Sequence, residues 1–345
     1  MTKITITKHD LKFMRMAIGL AKKAEGKTSP NPLVGAVLVR SGRVVGKGYH
    51  RKCGLPHAES NAIRDAGSKA KGADLYVTLE PCDHFGRTPP CTGAIIDAGI
   101  RRVVIGMKDP NPINNGRGIA RLKRSGIKVS VGVLEEEASS VNLPYIKYIR
   151  TGLPYVTLKM AQSLDGKIAT ATGNSKWITS EEARAHVQKL RGKADAVMVG
   201  ANTVLKDDPS LCCKIPGAKQ PARVIAGGRT SIPASAKIFR GADRSKVIVA
   251  VGPHGKVDLK DLLKKLGKMG LINILVEGGG ELAASLVEGG LVDRYLFFVA
   301  PKIIGGRSAV TSIEGEGVRA VKDAAGIKGM KAVAIGRDIL IEGYA

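Results

Sequence analysis

Four residues from separate stretches of the chain have the types and spacing of a catalytic metal site. His57 and Glu59 stand two positions apart, and Cys82 and Cys91, with eight residues between them, each follow a proline. One imidazole and two thiolates supply three zinc ligands and leave a fourth position for water, which is typical of catalytic rather than structural zinc. Zinc lowers the pKa of such a water to about 7, so hydroxide is available at neutral pH.

Glu59 is predicted to carry a proton rather than to bind the metal. On an ideal helix, a residue two positions beyond His57 does not share the face of that ligand. A carboxylate placed in this way suits transfer of a proton from the water to departing ammonia. Both cysteines follow prolines at predicted helix starts, where the backbone N–H groups and the dipole favour the thiolate. The alternative is a surface His-Ala-Glu with two buried cysteines, but the combination favours a deaminase-type metal site.

Alternating strands and helices must position these residues. In the first part of the chain we predict helices over residues 10–25, 57–66, 93–98, 119–125 and 135–141, and strands over residues 33–39, 43–49, 74–79, 102–105 and 128–131. A second alternation follows, with strands over residues 155–160, 196–199, 223–225, 246–251, 273–276, 295–299 and 332–335, and helices over residues 180–190, 259–266 and 281–287. With 345 residues, 43% of them hydrophobic, the chain suits two α/β domains, residues 1–145 and 146–345.

The composition limits the class of protein. The five cysteines are too few and too scattered for a disulfide framework, which leaves metal binding or burial. We find no signal peptide and no uninterrupted apolar stretch of about 18 residues, so we expect a soluble cytoplasmic protein without a membrane partner. The formal net charge of +25 raises the question of nucleic acid, but aromatic residues are only 4% of the chain and no long basic run occurs.

Residues 29 to 118 resemble the deaminase half of the bifunctional riboflavin biosynthesis family. The resemblance lies in Ser-Pro-Asn-Pro-Leu-Val-Gly at 29–35, Gly-Tyr-His at 48–50, His-Ala-Glu at 57–59, Leu-Glu-Pro-Cys-Asp-His-Phe-Gly-Arg-Thr-Pro-Pro-Cys at 79–91 and Asp-Pro-Asn-Pro at 109–112. It implies a three-layer α/β/α cytidine-deaminase-like fold and deamination of 2,5-diamino-6-ribosylamino-4(3H)-pyrimidinone 5′-phosphate. One Zn²⁺ per chain would be held by His57, Cys82 and Cys91. Substrate contacts would come from Asn31, His50, Arg87, Asp109 and Asn111.

The second domain lacks the usual dinucleotide fingerprint after its first strand. A strand that ends at Glu277 instead runs into Gly278-Gly279-Gly280 and a predicted helix, which exposes backbone N–H groups to a phosphate. The stretches at 158–169, 175–179, 190–191, 207–209 and 276–279 resemble the reductase half of the same family. That resemblance implies a dihydrofolate-reductase-like α/β fold and NADPH reduction of the ribosyl side chain to ribityl.

Site residues of the second domain follow from the same resemblance. Cofactor contacts are expected from Ala161, Trp177, Thr203, Asp207, Gly279, Gly280, Glu281, Leu282, Ala283, Ala284 and Ser285. Reductase substrate contacts are expected from Lys159, Ser175, Arg191, Leu211, Lys214 and Glu277. Core packing is the alternative for Trp177. Two positions depart from the family pattern: Lys214 stands where Arg is usual and lacks the bidentate fork, and Gly227-Gly228 stands where an acidic residue is common.

Two other functions remain open at this stage. One is a nucleic-acid base (tRNA-type) deaminase with an accessory nucleotide-binding domain, which the cysteine spacing and the reductase-like half argue against. The other is a nucleotide-binding regulatory protein with inactive sites, which the presence of every expected ligand argues against. The family resemblance also implies a homodimer or higher homo-oligomer.

Overall fold

The computed structural model describes residues 6–86, 89–227, 232–240, 246–252 and 257–345. The chain divides into two compact units, Met1–Gly152 and Leu153–Ala345, which we call unit 1 and unit 2. In the described residues, no helix combines the length and the apolar character that a membrane span requires.

Unit 1 is a five-stranded sheet with helices on both faces. The helices are α1 (Lys8–Lys22), α2 (Ala58–Ala66), α3 (Cys91–Asp97), α4 (Arg117–Arg124), α5 (Glu135–Ser140) and α6 (Leu143–Thr151). The strands are β1 (Gly35–Arg40), β2 (Arg43–Tyr49), β3 (Asp74–Leu79), β4 (Arg102–Met107) and β5 (Lys128–Val131). Their order is β2-β1-β3-β4-β5. Strand β1 is antiparallel to β2 and β3, whereas β3, β4 and β5 are parallel.

Two apolar clusters cover the two faces of this sheet. One cluster joins alternate residues of β1, β3 and β4 to α2 and includes Ala62, Leu75 and Ile105, all buried. The other joins the opposite faces of the same strands to α1 and includes Met14 and Val104. Because successive side chains of a strand point to opposite faces, a central strand with both faces covered is apolar throughout. The predicted three-layer α/β/α architecture is confirmed.

In its described residues, unit 2 is an eight-stranded sheet with four α-helices. The helices are α7 (Glu181–Lys193), α8 (Ala201–Asp207), α9 (Leu259–Lys268) and α10 (Gly280–Glu288). The strands are β6 (Tyr155–Ser163), β7 (Ala196–Gly200), β8 (Ala222–Ala226), β9 (Val247–Ala250), β10 (Asn273–Glu277), β11 (Arg294–Ala300), β12 (Lys328–Ile335) and β13 (Asp338–Tyr344). Their order is β12-β13-β11-β6-β10-β7-β8-β9. The six strands from β11 to β9 in this order are parallel, and β13 and β12 are antiparallel additions at one edge.

The helices of unit 2 also lie on both faces of their sheet. Helices α9 and α10 pack on one face through residues such as Leu266 and Leu286. Helices α7 and α8 contribute Val187 and Val204 to clusters on the other face. The predicted dihydrofolate-reductase-like α/β class is confirmed by the comparisons described below.

Three elements are absent from the sequence prediction. Helix α6 was not predicted, because its last residues, 150–151, read as the start of a connection between domains. The helix ends at Gly152, which has the left-handed conformation. Helix α8 has seven residues and begins without a side-chain cap, so it carries few local signals. Strand β13 is stabilised by long-range pairing with β11 and β12, which local patterns do not report.

Candidate active sites

The predicted metal ligands of unit 1 come together at one point. His57 immediately precedes α2, Cys82 follows β3, and Cys91 is the first residue of α3. His57 Nδ1 lies 3.2 Å from Cys91 Sγ and 3.6 Å from Cys82 Sγ, and the three ligand atoms lie within 4.8 Å of one another. Tetrahedral zinc with ordinary Zn–S and Zn–N bond lengths separates sulfur from nitrogen by about 3.6 Å. The three side chains therefore fit one zinc ion.

The two thiols are electrostatically unequal. A hydrogen bond from Cys91, helped by His57 and opposed by burial, lowers the pKa of Cys82 to about 4. Conversely, the hydrogen bond to Cys82, together with burial, raises the pKa of Cys91. The contact with Cys82 also raises the pKa of His57. Coordination to a divalent cation favours the thiolate form of both cysteines, so a bound metal would also deprotonate Cys91.

Glu59 shares the cavity of the ligands, contrary to the face argument from an ideal helix. His57 has the extended backbone of an N-cap residue (φ −72°, ψ 168°), so helical spacing does not relate it to Glu59 in the first turn of α2. Glu59 is 3% exposed. Burial, with a further contribution from Cys82, raises the pKa of its carboxyl group to about 7. A group with this pKa accepts and returns protons at neutral pH.

A cavity of about 460 Å³ opens onto the metal ligands and is lined by four of the five predicted substrate residues, Asn31, His50, Asp109 and Asn111. The Asn31 side-chain amide lies 3.1 Å from His50 Nε2, and burial lowers the pKa of His50. The fifth predicted residue, Arg87, lies outside the described residues.

The carboxylate of Asp109, an expected substrate contact, is already engaged by hydrogen bonds from the protein itself. It accepts hydrogen bonds from the Tyr145 hydroxyl (2.9 Å), the Asn111 backbone N–H (2.9 Å) and the Asn114 side chain (3.2 Å). Burial raises the pKa of Asp109 although these hydrogen bonds oppose the change. Asp109 therefore shapes the turn, and the Asn111 side chain lies at the wall of the cavity.

Sequence reasoning missed several residues of this site. Tyr145 lies in α6, where we predicted no element, and Asn114 lies just beyond the Asp-Pro-Asn-Pro motif. Glu80 lines the cavity, although the motif at residues 79–91 predicted no role for it. His84 also lines the cavity, and its buried Nδ1 has no hydrogen-bond partner among the described residues. An unpaired buried ring nitrogen is a signal that only coordinates provide.

Unit 2 contains a larger cavity of about 710 Å³. Its lining includes the predicted residues Lys159, Ala161, Ser175, Trp177, Arg191, Thr203, Asp207, Leu211, Lys214, Glu277 and Gly279. Six basic side chains and four acidic ones line it: Lys159, Lys176, Arg184, Arg191, Lys214 and Lys237 against Glu181, Asp207, Asp208 and Glu277. An excess of cations suits a phosphorylated cofactor and a phosphorylated substrate.

A buried ionic cluster forms one wall of this cavity. Arg191 binds Glu277 through two hydrogen bonds of 2.6 and 2.9 Å, and Lys159 Nζ lies 3.7 Å from the same carboxylate. Burial opposes ionisation of Glu277, but Arg191 and Lys159 outweigh it and lower its pKa. Burial also lowers the pKa of Lys159. The remaining terminal nitrogen of Arg191 donates to the Cys212 carbonyl oxygen at 3.1 Å, so Glu277 and the backbone together fix the guanidinium of this expected substrate contact.

Trp177 is 65% exposed, so the core-packing alternative for this residue is wrong. The Arg184 guanidinium lies 4.5 Å from the centre of its ring, a cation–π contact, and Lys302 Nζ donates to its carbonyl oxygen at 2.7 Å. These contacts hold the indole at the cavity.

The glycine turn after β10 brings the backbone close to the cavity. Gly278 and Gly279 have positive φ angles of 84° and 80°, and a Cβ on Gly280 would lie 2.6 Å from the Thr311 carbonyl oxygen. The lining includes Gly279 and stops short of the other predicted residues of this segment, Gly280, Glu281, Leu282, Ala283, Ala284 and Ser285. Because Leu282, Ala283 and Ala284 are buried in the core, any cofactor contact from these three residues would involve their backbone N–H groups.

Both units match known families. Residues 7–107 match the cytidine and deoxycytidylate deaminase zinc-binding region, and residues 154–341 match the RibD C-terminal domain. The chain is 45% identical to the riboflavin biosynthesis protein RibD of Aquifex aeolicus over 349 residues, covering 96% of this chain and 97% of that protein. It is 41% identical to RibD of Escherichia coli over 322 residues, covering 85% of this chain and 88% of that protein.

Solved structures agree over the full length. RibD of Acinetobacter baumannii superimposes with a TM-score of 0.89 at 37% identity, covering 98% of this chain and 99% of that one. The Thermotoga maritima diaminohydroxyphosphoribosylaminopyrimidine deaminase/5-amino-6-(5-phosphoribosylamino)uracil reductase gives a TM-score of 0.88 at 38% identity, covering 97% and 98%. The cluster of His57, Cys82 and Cys91 in unit 1 and the cavity of unit 2, with its excess of basic side chains, thus lie in a chain that belongs to the RibD family of bifunctional deaminases and reductases of riboflavin biosynthesis.

Proposed function

We propose that unit 1 deaminates 2,5-diamino-6-ribosylamino-4(3H)-pyrimidinone 5′-phosphate and that unit 2 then reduces the ribosyl side chain of the product to ribityl. The deaminase is of the zinc-binding type and the reductase of the NADPH-using type. One observation carries the deaminase assignment: His57, Cys82 and Cys91 converge on one point, with the buried carboxyl group of Glu59 in the same cavity. The nucleic-acid base alternative is not favoured, because RibD proteins match both units.

The residues of unit 1 divide the work of deamination. His57, Cys82 and Cys91 would hold a zinc ion, which would activate a water for attack on the ring carbon. Glu59 takes a proton from the water and delivers it to the leaving amino group, which departs as ammonia. Its pKa of about 7 suits both transfers. Exclusion of bulk water from the buried carboxyl group strengthens its interaction with the reacting atoms.

Substrate recognition in unit 1 falls to residues around the same cavity. Asn31 and His50 form one wall through their mutual contact, and Asn111 presents its side chain from the turn that Asp109 braces. Amide groups match the alternating donors and acceptors of a pyrimidinone edge. Arg87 stays a predicted phosphate contact, since a guanidinium matches phosphate oxygens.

In unit 2, bound NADPH would supply the hydride for C1′ of the ribosyl side chain. Trp177, Thr203, Asp207 and Gly279, which line the cavity together with Ala161, would hold the cofactor. Lys159 and Glu277 face the cavity as a buried cation and anion, which suits the hydroxyl groups of a sugar chain. Arg191 fixes the orientation of Glu277 through its bidentate bond, and Ser175 and Lys214 are the groups proposed to meet the phosphate.

A coupled assay tests the proposal. Purified protein given the diaminopyrimidinone phosphate is expected to release one ammonia and then oxidise one NADPH per substrate. Without NADPH, ammonia release continues and the deaminated product accumulates. Given the deaminated compound directly, the protein should oxidise NADPH with no ammonia release. Ammonia from a nucleic-acid base, with none from this substrate, would contradict the assignment.

We further propose that the protein is a cytoplasmic homodimer or larger homo-oligomer. Support for assembly comes from the edge strand β12, of which seven of eight residues are exposed. Met330, Val333 and Ile339 expose 62, 57 and 49% of their surface on this hairpin, an apolar strip that a second copy could cover. Support for a reducing compartment comes from the free cysteines. Sedimentation velocity tests assembly, since a monomer at micromolar concentration would contradict it.

A further inference from the structure

Glu80 is a buried carboxyl group that the deamination mechanism does not use. It follows β3, two positions before the metal ligand Cys82, and is 3% exposed. Among the described residues no basic side chain forms an ion pair with it. Instead its two oxygens accept hydrogen bonds from three backbone N–H groups, of Asp109 (3.2 Å), Gly116 (3.0 Å) and Ile119 (3.2 Å).

These three donors belong to one segment of chain that starts at the cavity. Asp109 begins the turn that carries Asn111 to the cavity wall. Gly116 and Ile119 lie at the start of α4, which has no cap from a side chain of its own N-cap residue. The first N–H groups of a helix need outside acceptors, and a carboxylate there also interacts favourably with the helix dipole. Glu80 Oε2 thus accepts from Gly116 at the start of α4 and from Asp109 in the turn, so one oxygen both caps the helix and holds the turn.

The loop that carries Cys82 packs against the same helix without clearance. A Cβ added to Gly118 would lie 2.0 Å from the Pro81 carbonyl oxygen and 3.4 Å from Glu80 Cγ. The Asn114 side chain adds a link, since it accepts from the Asp83 N–H at 2.9 Å and donates to Asp109 at 3.2 Å. The metal-ligand loop and the substrate-facing turn are therefore joined at several points, with the Glu80 carboxyl group at the centre.

We propose that Glu80 is a positioning residue for deamination, which sets the distance between the loop that carries Cys82 and the substrate-facing turn at Asp109 and Asn111. The inference rests on the proposed substrate role of that turn. Glu80 lines the cavity, but the hydrogen bonds that its carboxylate accepts among the described residues come from the turn and from the start of α4, so its loss displaces the turn and weakens substrate binding. The zinc ligands and Glu59 keep their own contacts.

Two substitutions of graded severity test this role in the full chain. Glu80→Gln keeps the length and one oxygen, which can still accept from Asp109 and Gly116, but loses the acceptor for Ile119. Glu80→Met keeps the length and leaves all three N–H groups unpaired. We expect KM for the pyrimidine substrate to rise about threefold to tenfold in the first variant and by more than about tenfold in the second. The kcat for ammonia release, the zinc content and the reductase activity should stay close to those of the unmodified chain.

Asp74→Asn is the matched control. Asp74 is the first residue of the same strand, at the end remote from Glu80, and pairs with the exposed Arg101. This change should leave KM unaltered. If Glu80→Met loses zinc through misfolding of unit 1, Glu80→Gln alone decides the matter.

A double-mutant cycle with Asn111→Ala separates positioning from general destabilisation. If Glu80 acts through the turn, Glu80→Gln should add little to KM once the Asn111 amide is gone. Additive effects on KM would overturn the inference. An unchanged KM in both Glu80 variants would do the same, and so would a fall in kcat or in zinc content without any change in KM. Should Asn111→Ala itself leave KM unchanged, the proposed substrate role of the turn fails together with the inference. A raised KM in Asn111→Ala with no effect from Glu80 overturns the inference alone.

Discussion

Replacing Glu59 with Gln removes the proposed proton carrier of unit 1 and leaves the packing of its cavity intact. The side chain is 3% exposed and its pKa is raised to about 7, chiefly by burial. A carboxyl group with its pKa near the working pH can both accept and return a proton. General acid–base groups contribute about 10²- to 10⁴-fold to rate. We expect kcat for ammonia release to fall about 10³-fold, a loss of about 4 kcal/mol in transition-state stabilisation.

The chain contains its own control for this experiment. NADPH oxidation with the deaminated compound depends on unit 2, so it should continue at the original rate in Glu59→Gln. Zinc content should stay at one per chain, because Glu59 is not among the three ligands. Asp65→Asn, on the exposed part of the same helix, should leave ammonia release unchanged. Ammonia release within about tenfold of the original rate in zinc-loaded Glu59→Gln would refute the proton-carrier role.

Three further changes test other parts of the structure. Cys91→Ser should lower the zinc content measured by elemental analysis, and with it ammonia release, while NADPH oxidation continues. Glu277→Gln should leave two buried cations without a carboxylate, destabilising unit 2 by about 3–5 kcal/mol in denaturant unfolding and abolishing reduction. Asp10→Asn should destabilise unit 1 at neutral pH, because hydrogen bonds from Arg102 and its neighbours outweigh burial and lower the pKa of Asp10. That stabilisation is full above the ordinary carboxyl pKa of 3.8 and is lost as pH falls through the lower folded-state value.

Each of these three has a contrary result. Full zinc occupancy in Cys91→Ser would remove that thiol from the ligand set. Unchanged unfolding and reduction in Glu277→Gln would show that Arg191 and Lys159 need no anion. Glu288→Gln, at the exposed end of α10, supplies the control. For Asp10→Asn, a stability difference from the unmodified chain that does not shrink as the pH falls below 3.8, the ordinary carboxyl pKa, would contradict a charge-dependent role.

The metal site was predictable because its signals are local. His57 and Glu59 are near neighbours, and Cys82 directly follows Pro81 at the end of an apolar strand that the sequence predicts with the observed bounds. The roles of the neighbouring residues depended on the family resemblance. Asn31 and His50 lie 19 positions apart, and nothing in either stretch alone predicts their 3.1 Å contact.

Contacts between side chains that lie far apart in the sequence could not be predicted. Arg191 and Glu277 were both expected as substrate contacts, and only the fold shows that α7 places one against the other at the end of β10. Tyr145 was missed because the sequence predicts no element between residue 141 and residue 155, and the last residues of α6 read as the start of a connection between domains. Trp177 could not be placed, since a lone tryptophan suits a core and a cofactor pocket equally well.

The parallel pairing of β3 with β4 has a consequence for how such enzymes change. Parallel neighbours release their following loops at the same edge of a sheet, so the loop after β3 and the loop after β4 meet although Cys82 and Asp109 are 27 positions apart. In the proposed function, the first loop carries the chemistry and the second recognises the ring. Selection can therefore rewrite one loop and retain the other, and a library confined to residues 109–115 is the natural starting point for redirecting this deaminase to a different heterocycle.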